Sequence, residues 1–418
     1  MRYLDLDDPE VHQLIAAEKA RIENTLDLIA AESHPPLSIL ETQGCAFNLK
    51  AAEGYPGRRF HAGCGNADSL ERLAVERGRR LFGAEHINVQ PHSGSSANLA
   101  VYFAVLKPGD RILAMRLSHG GHLSHGDAAS ITSRCFQFAH YGLDSRTEQL
   151  DYNAIEAQAA VFRPRMIVAG ASAYARLIDY ERLAHIARNV SAYLMVDMAH
   201  IAGLVAAGVI PSPVPVSDFV TFTTYKTLMG GRGGVIACRR EFARRIDRAV
   251  FPGTQGTPAL NQVAAKATCF HLAATPEFAA LQRSTIANAA TMATEFKQRG
   301  YRLISGGTDN HMVLVDLRTK AVSGREAEAS LESVGIVVNR NVIPNDPRPP
   351  DQASGIRVGA TDISARGMSE IQSKEVIGLI DMVINNRGRK EVLGQAAAQV
   401  AAFCKQYPVY GDDNRQNA

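Results

Sequence analysis

One lysine stands between a β-prone run and a cluster of glycines. In Thr221-Phe222-Thr223-Thr224-Tyr225-Lys226-Thr227-Leu228-Met229-Gly230-Gly231-Arg232-Gly233-Gly234, the run from Asp218 to Thr224 alternates at Val220, Phe222 and Thr224 as a half-buried strand does. Glycines just beyond the lysine let backbone or ligand approach closely. A lysine at a strand exit is desolvated, which lowers its pKa and makes it an amine nucleophile for carbonyl compounds. Taken alone, the stretch reads more readily as a surface lysine in a turn, so the other stretches decide.

Several do point the same way. Asp197 and His200 follow the apolar Tyr193-Leu194-Met195-Val196, where an acid at a strand exit can hold a pyridinium N–H or simply cap the next helix. Ser93, Gly94 and Ser95 open a helix after Ile87-Asn88-Val89, a pattern that suits an anion cradle or ordinary serine capping. His119, His122 and His125 lie among glycines; the stretch from Ser118 to Gly126 carries no acidic residue, which disfavours a metal and favours an imidazole stacked on a flat ring. Glu53 is the one carboxylate in the loop from Glu53 to Gly63 and a candidate acid/base group, unless the loop is only solvated. Ser172 ends a strand and could bond a phenolate. Arg357, flanked by extended apolar residues in Ser354-Gly355-Ile356-Arg357-Val358-Gly359, suits bidentate capture of a carboxylate, with a surface arginine as the alternative. Together these are the groups that a Schiff base with pyridoxal 5'-phosphate needs.

Positioning them requires an alternation of strands and helices. The expected strands are 111–115, 165–169, 193–196 and 218–224, with a helix at 180–190 among the connections. Such alternation means a mostly parallel sheet covered on both faces, with ligands beyond the carboxyl ends of its strands. Residues 8–31 read as an amphipathic helix through Val11, Leu14, Ile15, Ile22, Leu26 and Ile29, stopped by Pro35-Pro36; it would pack on a partner subunit or on its own core. A helix from Asp68, as cap, to Phe82 ends at Gly83. Further on, a basic helix is expected at 239–250 and one long helix at 262–299. A smaller α/β unit then follows, with strands 312–317 and 336–339 and helices 325–334 and 368–385. The division reads as an N-terminal helical arm (1–45), a large domain (46–280) and a small C-terminal domain (281–418), with a polar, frayed end from Asp412 to Ala418.

Composition excludes other classes. The 418 residues are 46% hydrophobic, enough for a large core. Lys+Arg 45 against Asp+Glu 42 leaves +3, which gives no electrostatic case for nucleic acid or membrane binding. The six cysteines are scattered and form no Cys-x-x-Cys pair, so a zinc site or disulfide framework is not indicated and a reducing cytoplasm fits.

With these stretches in view the chain resembles the serine hydroxymethyltransferase family from Leu28 to Tyr410. The resemblance is carried by Glu53-Gly54-Tyr55-Pro56-Gly57, Asn88-Val89-Gln90-Pro91-His92-Ser93-Gly94-Ser95, His119-Gly120-Gly121-His122-Leu123, Val196 to Val205, Ser305 to His311, and Ser354 to Gly359. It implies an α/β fold-type I architecture like that of aspartate aminotransferase, with a mostly parallel seven-stranded sheet. It also implies hydroxymethyl transfer between serine and glycine with tetrahydrofolate, through aldimine and quinonoid intermediates, in a homodimer or homotetramer with shared active sites. Lys226 would carry the cofactor, Asp197 would pair with its ring nitrogen, His122 would stack on the ring, and Ser172 with His200 would face the ring oxygen. Ser93, Gly94 and Ser95 would hold the phosphate, with Gly253 arriving from a second subunit. Arg357 would bind the substrate carboxylate, Glu53 from the partner would handle the hydroxyl proton, and Phe60 and Asn341 would contact the folate.

Departures from the family pattern cluster at the expected site. The family's Ala-Ser-Glu-Asn reads Ala30-Ala31-Glu32-Ser33, so Ala31 lacks a hydroxyl for the substrate carboxylate. Lys-Tyr-Ala-Glu reads Lys50-Ala51-Ala52-Glu53, so Ala51 opens space. Arg-Tyr-Tyr-Gly-Gly reads Arg59-Phe60-His61-Ala62-Gly63, which puts His61 where a phenol is usual, and His-Lys reads Tyr225-Lys226. Near Gly253 the family's glycines become Thr254 and Thr257. Losing buried hydrogen-bond partners of a carboxylate costs about 1–3 kcal/mol each. Serine–glycine exchange is the expected activity. The alternative is a paralogue acting on α-methylserine-like or other β-hydroxy amino acids, as hydroxymethyltransferase, folate-independent aldolase or transaldolase. A third possibility, a cofactor-binding protein without turnover, sits badly with intact Lys226, Asp197 and Arg357.

Overall fold

A computed structural model describes residues 2–410, so the expectation for Asp412 to Ala418 lies outside the described residues. Seven strands make the main sheet: β1 (His86–Asn88), β2 (Arg111–Met115), β3 (Gln137–Tyr141), β4 (Met166–Ala169), β5 (Tyr193–Asp197), β6 (Phe219–Thr223) and β7 (Gly234–Cys238), in the order β1-β7-β6-β5-β4-β2-β3. β7 is antiparallel to both neighbours, while β2 to β6 pair in parallel. Every residue of β4, β6 and β7 is buried, as a sheet covered on both faces demands. Strand alternation sorts them. Leu113, Ile167, Val196 and Val220 enter one core with the helix Gly65–Phe82, and Ile112, Val168, Met195 and Phe219 enter the other with the helix Gly94–Val105.

A second sheet is antiparallel: β8 (Arg302–Leu303), β9 (Met312–Asp316), β10 (Asn339–Asn341) and β11 (Gly355–Gly359), ordered β8-β9-β11-β10. It shares its core with helices Gly324–Glu332 and Glu370–Asn385. The helix Pro276–Gln298 joins the two units: Phe278 belongs to the first core, and Ala289, Met292 and Phe296 to the second. Substituting alanine for Phe296, which is fully buried, would cost about 3–5 kcal/mol.

Several expected elements are corrected. The N-terminal helix covers Pro9–Glu23, not 8–31, and buries none of its residues. Beyond it Leu26–Asp27 pairs in parallel with Ile336–Val337, and Leu26 and Leu28 pack in the second core. The helix before Gly83 starts at Gly65 with Cys64 as cap; Asp68 instead accepts from the Gly57 N–H and from Arg59, while Gly83 does end the helix at φ 64. The long stretch 262–299 is two helices, Leu260–Ala273 and Pro276–Gln298, because the Thr275 hydroxyl caps the Phe278 N–H and Pro276 takes the first helical position. Only Ala243–Arg248 of the basic stretch is α-helical, and residues 336–339 split between the Leu26–Asp27 pairing and β10. The strand β3 and the helices Tyr152–Phe162 and Lys390–Gln406 carried no strong sequence signal.

Candidate active site

The carboxyl ends of β5 and β6, the helix start at Ser93 and the histidine loop converge on one cavity. Ser93, Gly94, Ser95, His122, Ser172, Asp197, His200, Tyr225 and Lys226 all line it. Lys226 is 8% exposed, and its Nζ makes no hydrogen bond among the described residues. Burial pulls its pKa down to about 8, with Asp197 acting in the opposite sense. The backbone beneath it is held by Ser33, whose hydroxyl lies 3.0 Å from the Tyr225 carbonyl and 2.9 Å from that of Lys226. The Tyr225 ring is covered by the Arg232 guanidinium at 4.5 Å.

Asp197 is the acceptor of a buried network. Its Oδ2 takes hydrogen bonds from Asn98 Nδ2 at 2.8 Å and His125 Nε2 at 3.2 Å, and its Oδ1 takes the Ala199 N–H at 3.1 Å. Burial opposes its charge, yet the His125 and Asn98 bonds and the nearby imidazoles win, holding the carboxyl well below the usual range. Asn98 is fixed in turn by Thr221 Oγ1 at 2.6 Å and donates to Ser124 Oγ at 2.8 Å. The Ser124 N–H donates to His122 Nδ1 at 3.2 Å, so that nitrogen is an acceptor and the proton sits on Nε2. Burial lowers the His122 pKa to about 4, which keeps the ring neutral. The fold thus brings a distant acid to the imidazoles: candidate ligand atoms of His122, His125 and Asp197 lie within 4.8 Å of one another. Two of the three Asp197 hydrogen bonds fall on one oxygen, so the cluster is a filled hydrogen-bond set rather than an open metal site.

The pocket fits a phosphorylated pyridine aldehyde on three counts. Ser93 caps its helix through a reciprocal box with Ser96, which leaves the first-turn amides of Gly94 and Ser95 for an anion. A Cβ at Gly94 would sit 2.8 Å from Thr223 Cγ2, and one at Gly234 would collide with the Ser93 carbonyl, so the cradle tolerates only glycine at those points. The Thr223 Oγ1 and His200 Nδ1 atoms are buried without partners. Buried polar atoms of this kind await a ligand.

Arg357 stands at the rim. Its guanidinium donates to the Ser172 carbonyl and, through Nε, to Asn339 Oδ1 at 3.1 Å. It is 8% exposed and forms no ion pair among the described residues, so burial draws its pKa down to about 10. A buried cation without a counter-charge is a receptor for a carboxylate. His200 stacks on His311 with centroids 5.7 Å apart, and His311 Nε2 meets the Ala30 carbonyl at 3.2 Å. Burial lowers both imidazoles, His311 to about 3 and His200 well below 6.5. All three of His122, His200 and His311 are therefore neutral when folded. Their stabilisation is full above pH 6.5 and is lost as pH falls below it, because the unfolded state then binds more protons. The thermal midpoint is accordingly expected to drop steeply from pH 6.5 toward 4; a level midpoint through that interval in calorimetry would contradict these assignments.

Other expected site residues lie elsewhere on the chain. Glu53, His61, Phe60, Ala51 and Gly253 do not line the Lys226 cavity. Three of them gather at a second place: Glu53 Oε1 accepts from Thr257 Oγ1 at 3.2 Å, His61 Nδ1 is 4.0 Å from Glu53, and Phe60, 77% exposed, contacts Phe251 at 5.7 Å. Asn341 lies in β10 beside Gly355, its amide turned to the Val342 carbonyl. Ala31 follows the Ala30 carbonyl that His311 binds. Sequence reasoning missed Asn98, Ser124 and Asn339, polar residues with partners distant in the chain, the unpartnered Thr223, and Ser33; it singled out His125 but not its bond to Asp197.

The serine hydroxymethyltransferase family profile matches residues 4–380. The serine hydroxymethyltransferase of Nitrosomonas eutropha is 49% identical over 405 residues, covering 97% of this chain and 97% of its own length. That of Dehalococcoides mccartyi is 48% identical over 414 residues, covering 99% of this chain and 100% of its own. With the match running through every element that builds the pocket, the chain belongs to the serine hydroxymethyltransferase family.

Proposed function

We infer that the protein is a pyridoxal-phosphate-dependent serine hydroxymethyltransferase that moves a one-carbon unit between serine and glycine with tetrahydrofolate as co-substrate. The observation that carries this reading is a single cavity holding an unpartnered Lys226 amine, an ionised Asp197 and an orphaned Thr223 hydroxyl, with an uncompensated Arg357 at its rim. Pyridoxal phosphate supplies an electron sink for breaking and forming the Cα–Cβ bond. Lys226 would hold it covalently, and burial already keeps a fraction of that amine neutral at neutral pH. Asp197 would keep a proton on the ring nitrogen, and the neutral His122 ring would cover one face. Ser93, Gly94, Ser95 and Thr223 would take the phosphate, and Ser172 with His200 the phenolic oxygen. Arg357 would orient the amino acid by its carboxylate.

The proton on the substrate hydroxyl falls to Glu53, which is outside this chain's own cavity and would come from a partner subunit together with Ala51, Phe60, His61 and Gly253. Phe60 and Asn341 would contact the folate, and Ala31 would leave the carboxylate to Arg357. This division supports a homodimer as the smallest active unit, with residues 1–45, 46–280 and 281–418 as arm, large and small domains. Co-refolding Glu53→Gln with Lys226→Ala chains should return about a quarter of wild-type activity, since random pairing makes one intact site in half of the dimers. Absence of any recovery would mean that each chain uses its own Glu53.

Serine cleavage measured with and without tetrahydrofolate tests the reaction itself. Folate-dependent formation of glycine is expected. Folate-independent turnover of an α-methyl or other β-hydroxy amino acid, with serine a poor substrate, would overturn it in favour of the paralogue reading.

A further inference from the structure

Lys266 is the second buried lysine of the chain, and nothing in the reaction as described uses it. It lies in the helix Leu260–Ala273, is 1% exposed, and its Nζ donates to three backbone carbonyls: Val89 at 2.7 Å, Pro91 at 3.0 Å and Gly234 at 2.9 Å. Those carbonyls belong to two separate strand ends. Val89 and Pro91 lead from β1 into Ser93, and Gly234 begins β7, where it packs against the Ser93 carbonyl and donates its own N–H to Pro91. Three acceptors occupy all three N–H bonds of an ammonium, whereas a neutral amine has only two. Burial works against the charge, pulling the pKa down to about 7, while the Glu71 carboxylate acts in the opposite sense.

A peptide carbonyl and the following N–H point in opposite directions across one plane. Turning the Pro91 carbonyl toward Lys266 therefore turns the His92 N–H to the opposite side of that peptide, away from the lysine. It also removes carbonyl oxygens, which repel anions, from the rear of the helix start at Ser93. The buried positive charge adds to the field of the helix N-terminus. We propose that Lys266 is a positioning residue for the anion cradle: it sets the orientation of the peptides behind Ser93 and so the affinity for the phosphate group of the cofactor. This rests on the reading of Ser93–Ser95 as the phosphate site.

The test is equilibrium binding to the apoprotein of pyridoxal phosphate and of pyridoxal, which lacks the phosphate, with inorganic phosphate as competitor of the former. Lys266→Met removes all three donors. Its affinity for pyridoxal phosphate should fall roughly ten- to a hundredfold, the range for losing charge-assisted hydrogen bonds, with little change for pyridoxal. Gly233→Ala keeps the charge but moves it, since the added methyl would collide with Lys266 Cε and stand 2.7 Å from Nζ; the same selective loss is expected, smaller in size. That second variant decides the matter if Lys266→Met does not fold. Equal losses for both ligands, or none for either in a folded variant, would overturn the proposal. A wild-type protein that fails to prefer pyridoxal phosphate over pyridoxal would instead overturn the phosphate-site reading on which it stands.

Discussion

Asp197→Asn is expected to lower kcat about a thousandfold, the scale seen when a charge-stabilising group is removed from a closed site. The carboxylate is the acceptor of three hydrogen bonds and lies in the cavity with Lys226. An amide there would face the Asn98 NH2, the His125 N–H and the Ala199 N–H with one oxygen instead of two, so one pair must become donor against donor. The charge that would hold the ring proton disappears as well. Because the folded-state pKa is depressed, the stability that Asp197 contributes is present above the usual carboxylate pKa of about 4 and is lost only as pH falls below it. Activity of the wild type should therefore show no titration of this group between pH 6 and 9. Steady-state kinetics would check both points; a variant with kcat within threefold of wild type would remove Asp197 from the mechanism.

Arg357→Ala is expected to raise KM for serine by roughly 30- to 5,000-fold, the equivalent of about 2–5 kcal/mol for truncating one partner of a buried charge pair. The guanidinium is fixed by the Ser172 carbonyl and Asn339 Oδ1 and has no carboxylate of its own among the described residues. Arg357→Lys should recover little, because one ammonium cannot reproduce two parallel N–H bonds. Asn339→Ala should give the same sign with a smaller effect, since it removes the amide that orients Nε. Titrating serine and glycine against each variant separates this from a loss of chemistry: KM should move far more than kcat.

Much of this site was legible because its residues end buried strands. Lys226 and Asp197 each follow an apolar run, and runs of that kind announce both the strand and its exit. The Ser93 cap and Gly83 stop were readable from local chemistry, as was the change of helix at Thr275-Pro276, a cap and first-turn signal that the apolar spacing on either side outweighed. What the sequence could not carry is pairing across the fold. Asn98 and His125 are 99 and 72 residues from the Asp197 they support, and Asn339 is 18 from Arg357. Nothing local marks an asparagine in a helix as the partner of a distant acid. The N-terminal stretch failed for a related reason: Leu26 has helical spacing with Ile22, yet its burial comes from Ile336 on another segment, which turns it into a strand.

Among the described residues two lysines are buried, Lys226 at 8% and Lys266 at 1% exposure, and of these Lys226 alone lines the cofactor cavity. Reducing the holoprotein with borohydride fixes any bound aldehyde as a stable adduct, and peptide mass spectrometry then locates it. The predicted result is one pyridoxyl-phosphate mass on the peptide containing Lys226 and an unmodified Lys266. Label on another lysine, or none on a protein that still turns over serine, would contradict the assignment of Lys226 as the covalent anchor.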